Sequence, residues 1–375
     1  MSNRIVIFKG SKKDFEYMIN EEICEFDETI TFMELIQLYN SRLRPNESGV
    51  REDEIRQSVQ ADNCIVRADD YGSVLAHVLN NFANVITLNH DVDCFFIHNP
   101  PRKVEESLLS RFGENVEYKE SEYESITIES LKQVFLRLKT DVLGQREGKQ
   151  QIISSLYKAI RKTVDKPVVI MLYGPSGVGK TESAKCISES LGGKLLRIQF
   201  SMMQSAEAYN YIFGSEHSKS CFARDMLCRE TNVVLIDEFD KVSDVFYNAF
   251  YELFDDGKYV DVNYDVYLGQ TIFILTSNFK NENEIMEKLG PAMFSRIGAC
   301  IEYKDLSVRD KEIIINKWYD DLCDSLTTEE QKAINDTNIL SWFKENAGRY
   351  DNIRLLKNKL ENAIFDILAQ KFIMS

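Results

Sequence analysis

The stretch Gly174-Pro175-Ser176-Gly177-Val178-Gly179-Lys180-Thr181 decides the fold of this chain. The apolar run 168–172 precedes it and has the pattern of a buried strand, so the sequence predicts a strand, a glycine-rich loop and a helix in succession. In such a loop, backbone N–H groups surround phosphate oxygens at the N-terminus of the helix. We therefore expect these eight residues to bind ATP, with Lys180 reaching the β- and γ-phosphates and Thr181 binding Mg²⁺.

Two further apolar runs end in polar side chains. The run 233–236 is unbroken, which is typical of a strand buried on both faces, and it leads into Asp237 and Glu238. Because the carboxyl ends of parallel strands face the ligand, Asp237 is expected to hold Mg²⁺ with its water shell, and Glu238 to act as general base. The run 271–277 ends in Asn278, which could position the attacking water. Paired acids favour hydrolysis over phosphate transfer to a small molecule.

These segments together resemble the AAA+ superfamily, and three further stretches resemble its Clp branch. Asp141-Val142-Leu143-Gly144-Gln145 resembles the motif that lines the adenine pocket, which implies that Val142 and Leu143 contact the base. Residues 244–257 resemble the helix and turn that follow the acidic strand. Phe294-Ser295-Arg296-Ile297 resembles the motif with the arginine finger, which implies that Arg296 acts on a neighbouring subunit.

The C-terminal part fits the same resemblance. Asn352-Ile353-Arg354 resembles the start of the last lid helix, in which a sensor arginine contacts the nucleotide. Arg354 would act within its own subunit and couple the lid angle to the nucleotide state. The resemblance also implies that the chain forms a homo-oligomer, namely a hexameric ring as in this family. The predicted apolar face of the helix consists of Leu355, Leu356, Leu360, Ile364 and Leu368.

The expected fold class is α/β, with an AAA+ P-loop core built on a parallel sheet. Residues 1–113 are predicted to form a smaller N-terminal α/β domain of unknown role, and residues 114–130 an exposed linker rich in Glu, Ser and Tyr. Residues 131–303 would form the large ATPase domain, and residues 304–375 a helical lid. Within the N-terminal domain, we expect strands at 5–8, 85–88 and 95–97 and helices at 31–43 and 73–82.

Composition limits the other possibilities. The 375 residues carry a net charge of −15, and the first 124 contain 13 Lys and Arg against 24 Asp and Glu, a net −11. Such a surface repels phosphate backbones, which argues against a nucleic-acid partner. The eight cysteines are scattered, which predicts free thiols and no metal site. Neither a signal-peptide pattern nor an apolar stretch of ~20 residues is present, so we expect a cytoplasmic protein without membrane contact.

The predicted function is Mg²⁺-dependent ATP hydrolysis coupled to remodelling of a protein partner. Threading Clp proteins carry an aromatic-glycine loop in their pore, whereas residues 215–221 contain no aromatic side chain. The spacing of Tyr211 and Phe213 before Gly214 indicates a buried helix end. Residues 258–270 resemble a hairpin that also faces the pore. The alternative is therefore an ATP-dependent oligomeric switch or scaffold that regulates an effector without threading. A DNA-acting AAA+ loader is a second alternative, but the chain has no basic stripe or DNA-reading module to support it.

Overall fold

Two parallel β-sheets, each with helices on both faces, form most of the molecule. The computed structural model describes residues 3–43, 59–88, 90–161, 165–203, 205–215 and 220–374. Both sheets have five strands. Helices that follow the second sheet pack on one another around a core of their own. The predicted α/β class, with a parallel sheet and a helical C-terminal part, is confirmed.

The first sheet occupies the N-terminal third of the chain. Its strand order is β2-β3-β4-β1-β5, and every pair is parallel. Helix α1 covers one face, and the helices from α2 to α5 cover the other. The elements are β1 (Arg4–Lys9), α1 (Lys12–Glu22), β2 (Thr29–Thr31), α2 (Phe32–Leu43), β3 (Val59–Val66), α3 (Ala76–Asn80), α4 (Phe82–Thr87), β4 (His90–His98), α5 (Arg102–Phe112) and β5 (Val116–Glu120).

Three N-terminal predictions need correction. Residues 85–88, predicted as a strand, belong mostly to α4, because Phe82, Val85 and Ile86 are buried at helical spacing against the sheet. The helix predicted at 73–82 corresponds to the shorter helix α3, which follows a 3₁₀ turn at Asp70–Ser73.

The third correction concerns the expected linker, which contains strand β5. Val116 lies opposite Ile5 of β1, and the pairing continues to Glu120. Strand β5 is an edge strand, and charged side chains are common at sheet edges. Its charged composition therefore concealed a strand that only tertiary pairing reveals.

The second sheet carries the glycine-rich loop. Its order is β12-β6-β11-β8-β7, again entirely parallel. Helices α6 to α8 cover one face, and α9 to α12 cover the other. The elements are α6 (Ile128–Asp141), α7 (Arg146–Arg161), β6 (Val168–Tyr173), α8 (Lys180–Ser190), β7 (Leu196–Gln199), α9 (Ser205–Phe213), α10 (Phe222–Leu227), β8 (Val233–Asp237), α11 (Tyr247–Asp256), β9 (Lys258–Val260), β10 (Asp265–Tyr267), β11 (Ile272–Ser277), α12 (Glu282–Phe294) and β12 (Ala299–Glu302).

The predicted buried strands occupy the centre of this sheet. Every residue of β8 and β11 is buried, as their unbroken apolar runs indicated. Strand β11 lies between β6 and β8. This order brings the ends of the glycine-rich strand, the acidic strand and the Asn278 strand together at one edge. The short strands β9 and β10 form an antiparallel hairpin before β11.

The C-terminal helices are α13 (Val308–Asp324), α14 (Thr328–Asn335), α15 (Ile339–Glu345) and α16 (Ile353–Phe372). Helix α16 buries Ile353, Leu356, Leu360, Ile364 and Leu368. Leu355, predicted on this apolar face, is 50% exposed, because the helix instead turns Ile353 inward. Across the described residues, no helix combines the length and apolar character needed to span a membrane.

Helix α5 of the N-terminal part contacts the hairpin of β9 and β10. The backbone N–H of Arg102 donates to the Asn263 carbonyl at 2.7 Å. The guanidinium of Arg102 donates to the carbonyls of Asp261 and Tyr264 at 3.4 and 3.3 Å. The start of α5 thus holds the hairpin turn at 261–264.

Candidate active site

The glycine-rich loop connects β6 to α8. Gly174 has φ 127°, and a Cβ there would lie 2.1 Å from the carbonyl oxygen of Tyr303, so only glycine fits. A Cβ on Gly177 would lie 3.7 Å from the Cβ of Ile353. The loop therefore passes between the end of the sheet and the first turn of α16.

Lys180 begins α8 beneath this loop. Its ammonium donates to the carbonyls of Gly174 at 2.5 Å and Pro175 at 2.7 Å, and to Asn278 Oδ1 at 3.3 Å. Only 8% of the residue is exposed. Burial is the main cause that lowers the pKa of Lys180 to about 8; Asp240 and Asp237 oppose the shift, and the nearby Arg354 adds to it.

Asp237 ends strand β8 and is 6% exposed. Its Oδ2 accepts hydrogen bonds from Nε and Nη2 of Arg197, at 2.9 and 2.5 Å. Its Oδ1 accepts the hydroxyl of Thr276. The neighbouring strands β7 and β11 therefore hold the carboxylate from both sides.

Glu238 follows in an unusual backbone conformation. Its φ of 56° and ψ of 46° place it in the left-handed region, where a residue other than glycine costs about 1–3 kcal/mol. Its N–H donates to Thr276 Oγ1 at 3.0 Å. Its Oε2 accepts the hydroxyl of Ser201 and, at 3.2 Å, the amide of Gln199. The turn thus directs the Glu238 carboxylate toward β7.

These groups surround one cavity with an open volume of about 260 Å³. The cavity is lined by residues of the loop, by the two acids, by Asn278 and by Arg354 from the lid. Oxygen donors from Thr181 and Asp237 suit Mg²⁺, which typically takes one or two carboxylates and keeps several waters. The lining residues are Ser176, Gly177, Gly179, Lys180, Thr181, Glu182, Arg197, Gln199, Asp237, Glu238, Thr276, Ser277, Asn278 and Arg354.

Some residues proposed from the sequence lie outside this cavity. Val142 contacts the loop, since a Cβ on Gly179 would lie 3.0 Å from its Cγ1, but neither Val142 nor Leu143 lines the cavity. Gln145 links this segment to the lid, because it exchanges two hydrogen bonds with the backbone of Lys304, at 2.7 and 3.0 Å.

Arg296 also lies away from the cavity. Its guanidinium pairs with Asp255 Oδ2 at 2.6 Å and donates to the Ala292 carbonyl at 2.6 Å. Its guanidinium carbon lies 4.5 Å from the centre of the Tyr251 ring. Arg296 is therefore held against α11 of its own chain.

The residues that bond to the two acids were not identified from the sequence: Arg197, Gln199, Ser201 and Thr276. Arg197 and Gln199 alternate along β7, and Ser201 follows in the next turn, so a polar face on an edge strand was the available signal. Thr276 lies in the apolar run before Asn278. Its hydrogen bonds to the Asp237 carboxylate and the Glu238 backbone N–H, however, depend on the strand order.

The segment compared with a pore loop is only partly described, because residues 216–219 lie outside the described residues. Tyr211 is 8% exposed and its hydroxyl donates to Asp225 at 2.7 Å, so the predicted buried helix end is confirmed there. Tyr209, on the same helix, is 53% exposed.

Comparison with known proteins places these features in a family context. A family model described as AAA domain (Cdc48 subfamily) matches residues 165–329. The chaperone protein ClpB of Mycoplasmoides gallisepticum is 26% identical over 275 residues, covering 66% of this chain and 38% of the relative. The ATP-dependent Clp protease ATP-binding subunit ClpL of Staphylococcus aureus is 25% identical over 280 residues, covering 66% and 39%. The chain thus spans about two fifths of the length of these relatives.

Two solved structures have a similar fold. The S. cerevisiae Hsp104-ADP complex aligns with a TM-score of 0.52 and 17% identity, covering 66% of this chain and 48% of that one. A closed-state reconstruction of Hsp104 with ATPγS and FITC casein gives a TM-score of 0.55 and 13% identity, covering 99% and 89%. At these identities the similarity concerns the fold alone.

Proposed function

We propose that the chain hydrolyses ATP with Mg²⁺ and thereby remodels a protein partner. The match of residues 165–329 to an AAA-domain model and the similarity to Clp proteins support this proposal. The observation that carries the proposal is the convergence of Lys180, Asp237, Glu238, Asn278 and Arg354 on one cavity. A basic group for the phosphates, a candidate metal ligand and a candidate base are the parts that ATP hydrolysis requires.

Each group has a separate task in this proposal. The loop amides and Lys180 bind the β- and γ-phosphates. Glu238 accepts a proton from the attacking water, and Asn278 orients that water. As the oxygen of water bonds to the γ-phosphorus, the bond from that phosphorus to the bridging oxygen breaks and ADP leaves. Thr181 and Asp237 would hold Mg²⁺, which would supply neutralisation of the charge on the phosphates.

The two arginines connect the site to motion and assembly. Arg354 stands in the first turn of α16 and lines the cavity, so it can report the nucleotide state to the lid. Arg296 does not line the cavity of its own chain, and we assign it to the site of a neighbouring subunit in a homo-oligomer, expected to be a hexameric ring. Val142 and Leu143 are proposed to contact the adenine.

The test is ATP hydrolysis by the purified chain with Mg²⁺, compared with hydrolysis by the Lys180→Ala variant. We expect phosphate release from the wild type only. A wild-type rate no higher than that of Lys180→Ala would contradict the proposal. A pull-down with the Glu238→Gln variant in ATP, which should retain bound partners, would then identify the protein substrate.

One observation favours the alternative of a switch that does not thread substrate. Arg102 holds the turn at 261–264, in the hairpin that was compared with a pore-facing element. A hairpin fixed to the N-terminal sheet is less free to follow a moving polypeptide. ATPase activity stimulated by unfolded protein would favour the motor, whereas slow, unstimulated turnover with ATP-dependent assembly would favour the switch.

A further inference from the structure

Among the described residues, three donor atoms bond to the carboxylate of Asp237. Both Nε and Nη2 of Arg197 donate to Oδ2, at 2.9 and 2.5 Å, and the hydroxyl of Thr276 donates to Oδ1. A carboxylate has about four acceptor positions, two on each oxygen. Arg197 therefore uses both positions on one oxygen, and a single position remains on the other.

The position of Arg197 follows from the strand register. Strand β7 is the edge strand beside β8, with Arg197 opposite Leu235 and Gln199 opposite Asp237. The Asp237 side chain is 8% exposed, and a second acid, Glu238, follows directly. A buried carboxylate needs a positive partner. Arg197, whose side chain is 46% exposed, supplies that charge from the open side of the site.

The same carboxylate is the group that the proposed function assigns to Mg²⁺. Because Arg197 occupies both acceptor positions on Oδ2 and Thr276 one on Oδ1, the metal and its water shell would have to share this carboxylate with the arginine. We propose that Arg197 is a positioning residue that competes with nucleotide-bound Mg²⁺ for Asp237. This inference rests on the proposed ATPase function. The Arg197 guanidinium lines the cavity together with Lys180 and Arg354. It can therefore exchange Asp237 for phosphate oxygens, which it would bind through the same planar N–H groups.

The competition has a measurable consequence. A nucleotide without metal can leave the Arg197–Asp237 pair intact, whereas a metal at Asp237 would draw on the same carboxylate charge and weaken the pair. The cost of weakening the pair therefore reduces the gain in nucleotide affinity that Mg²⁺ provides. Loss of a positive charge near the phosphates would itself weaken binding of the metal-free nucleotide more than binding of its Mg²⁺ complex, because the metal-free form carries more negative charge. The Arg197→Lys variant, which keeps the charge, separates this effect from the competition.

The experiment measures the Kd of a fluorescent ATPγS analogue in EDTA and in Mg²⁺. The ratio of the Kd in EDTA to the Kd in Mg²⁺ gives the factor by which the metal increases affinity. For Arg197→Gln we expect this ratio to exceed that of the wild type about two- to fivefold, the size expected for a partly exposed ion pair. Arg197→Lys keeps the charge without the planar fork and should lie between them. Lys241→Gln is the matched control, because it removes a nearby cation that pairs with Asp240 at 3.3 Å. Its ratio should stay within about twofold of the wild type.

A ratio that is unchanged or lower in Arg197→Gln, with binding in EDTA still measurable and the melting temperature retained, would overturn the inference. If Arg197→Gln does not fold, a wild-type ratio in Arg197→Lys overturns it instead. Failure of the wild type to bind the nucleotide under either condition would refute the proposed function itself. The two failures are therefore distinguishable.

Discussion

The ammonium of Lys180 lies 3.3 Å from Oδ1 of Asn278, and this contact joins the glycine-rich loop to the end of β11. Strand β11 pairs with β6 on one side and β8 on the other, so the contact depends on that strand order. Lys180 also donates to the carbonyls of Gly174 and Pro175. These partners are neutral dipoles, and a phosphate would be the stronger acceptor for the same ammonium.

Nucleotide binding should take up a proton above pH 8. Burial lowers the Lys180 pKa to about 8, and contact with phosphate should raise it again, because the charged form is favoured there. Affinity for ADP should therefore be constant from pH 7 to about 7.5 and fall with rising pH above 8, by up to about tenfold per unit. Calorimetry at pH 8.8 in two buffers of different ionisation heat measures the uptake. Binding at that pH without proton uptake would contradict the expected role of Lys180.

Two variants should separate binding from turnover. Lys180→Ala should lose nucleotide binding, whereas Glu238→Gln should keep it and hydrolyse ATP about 10²–10⁴-fold more slowly, the usual contribution of a general base. Glu182→Gln is the matched control, because Glu182 lines the same cavity without standing at the end of β8. Equilibrium binding and phosphate release measure the two properties. Equal losses of affinity in Lys180→Ala and Glu238→Gln would refute the assignment of Glu238.

The parts of this fold that sequence could predict are those in which local pattern and burial agree. The apolar runs of β6, β8 and β11 are long enough to indicate central strands, and their polar ends mark the functional edge of the sheet. Strand β5 and helix α4 were misassigned because pairing with β1 and packing on the sheet decide them. Local composition does not contain that information.

The candidate site divides in the same way. Lys180, Asp237, Glu238 and Asn278 occur in contiguous motifs, and the structure places them around one cavity. Arg197 and the Ser201 contact with Glu238 depend on which strand lies at the edge of the sheet. That neighbour relation is a property of the strand order, so no spacing along the chain could have predicted it.

Arg354 should couple hydrolysis to lid position. Arg354→Ala is expected to lower the ATPase rate and to abolish the ATP-dependent change in lid angle, since Arg354 is the lid residue that lines the described cavity. Lys357→Ala is the control on the same helix, because Lys357 pairs with Glu361 at 3.6 Å. Fluorescence energy transfer between labels on the core and the lid measures closure. An unchanged rate in Arg354→Ala would assign this arginine to the surface.

Arg296 should complete the site of a neighbouring subunit. In its own chain the guanidinium is held by Asp255 and stacks on Tyr251, outside the cavity. Arg296→Ala should therefore bind ATP normally and hydrolyse it poorly, with a loss of up to about 10³–10⁵, as for arginine fingers of other NTPases. Asp255→Asn should change the rate less, because it alters the orientation of Arg296 and leaves its charge.

A mixing experiment distinguishes action in trans from a structural role. Lys180→Ala cannot bind nucleotide but still presents Arg296, whereas Arg296→Ala binds nucleotide but presents no finger. At a mixed interface the intact arginine of the first chain would meet the loaded site of the second, so activity should reappear on mixing. Native mass spectrometry would establish that the two chains co-assemble. An inactive mixture of co-assembled chains would contradict the trans role. Full activity of Arg296→Ala alone would contradict it more strongly, because hydrolysis would then require no neighbour.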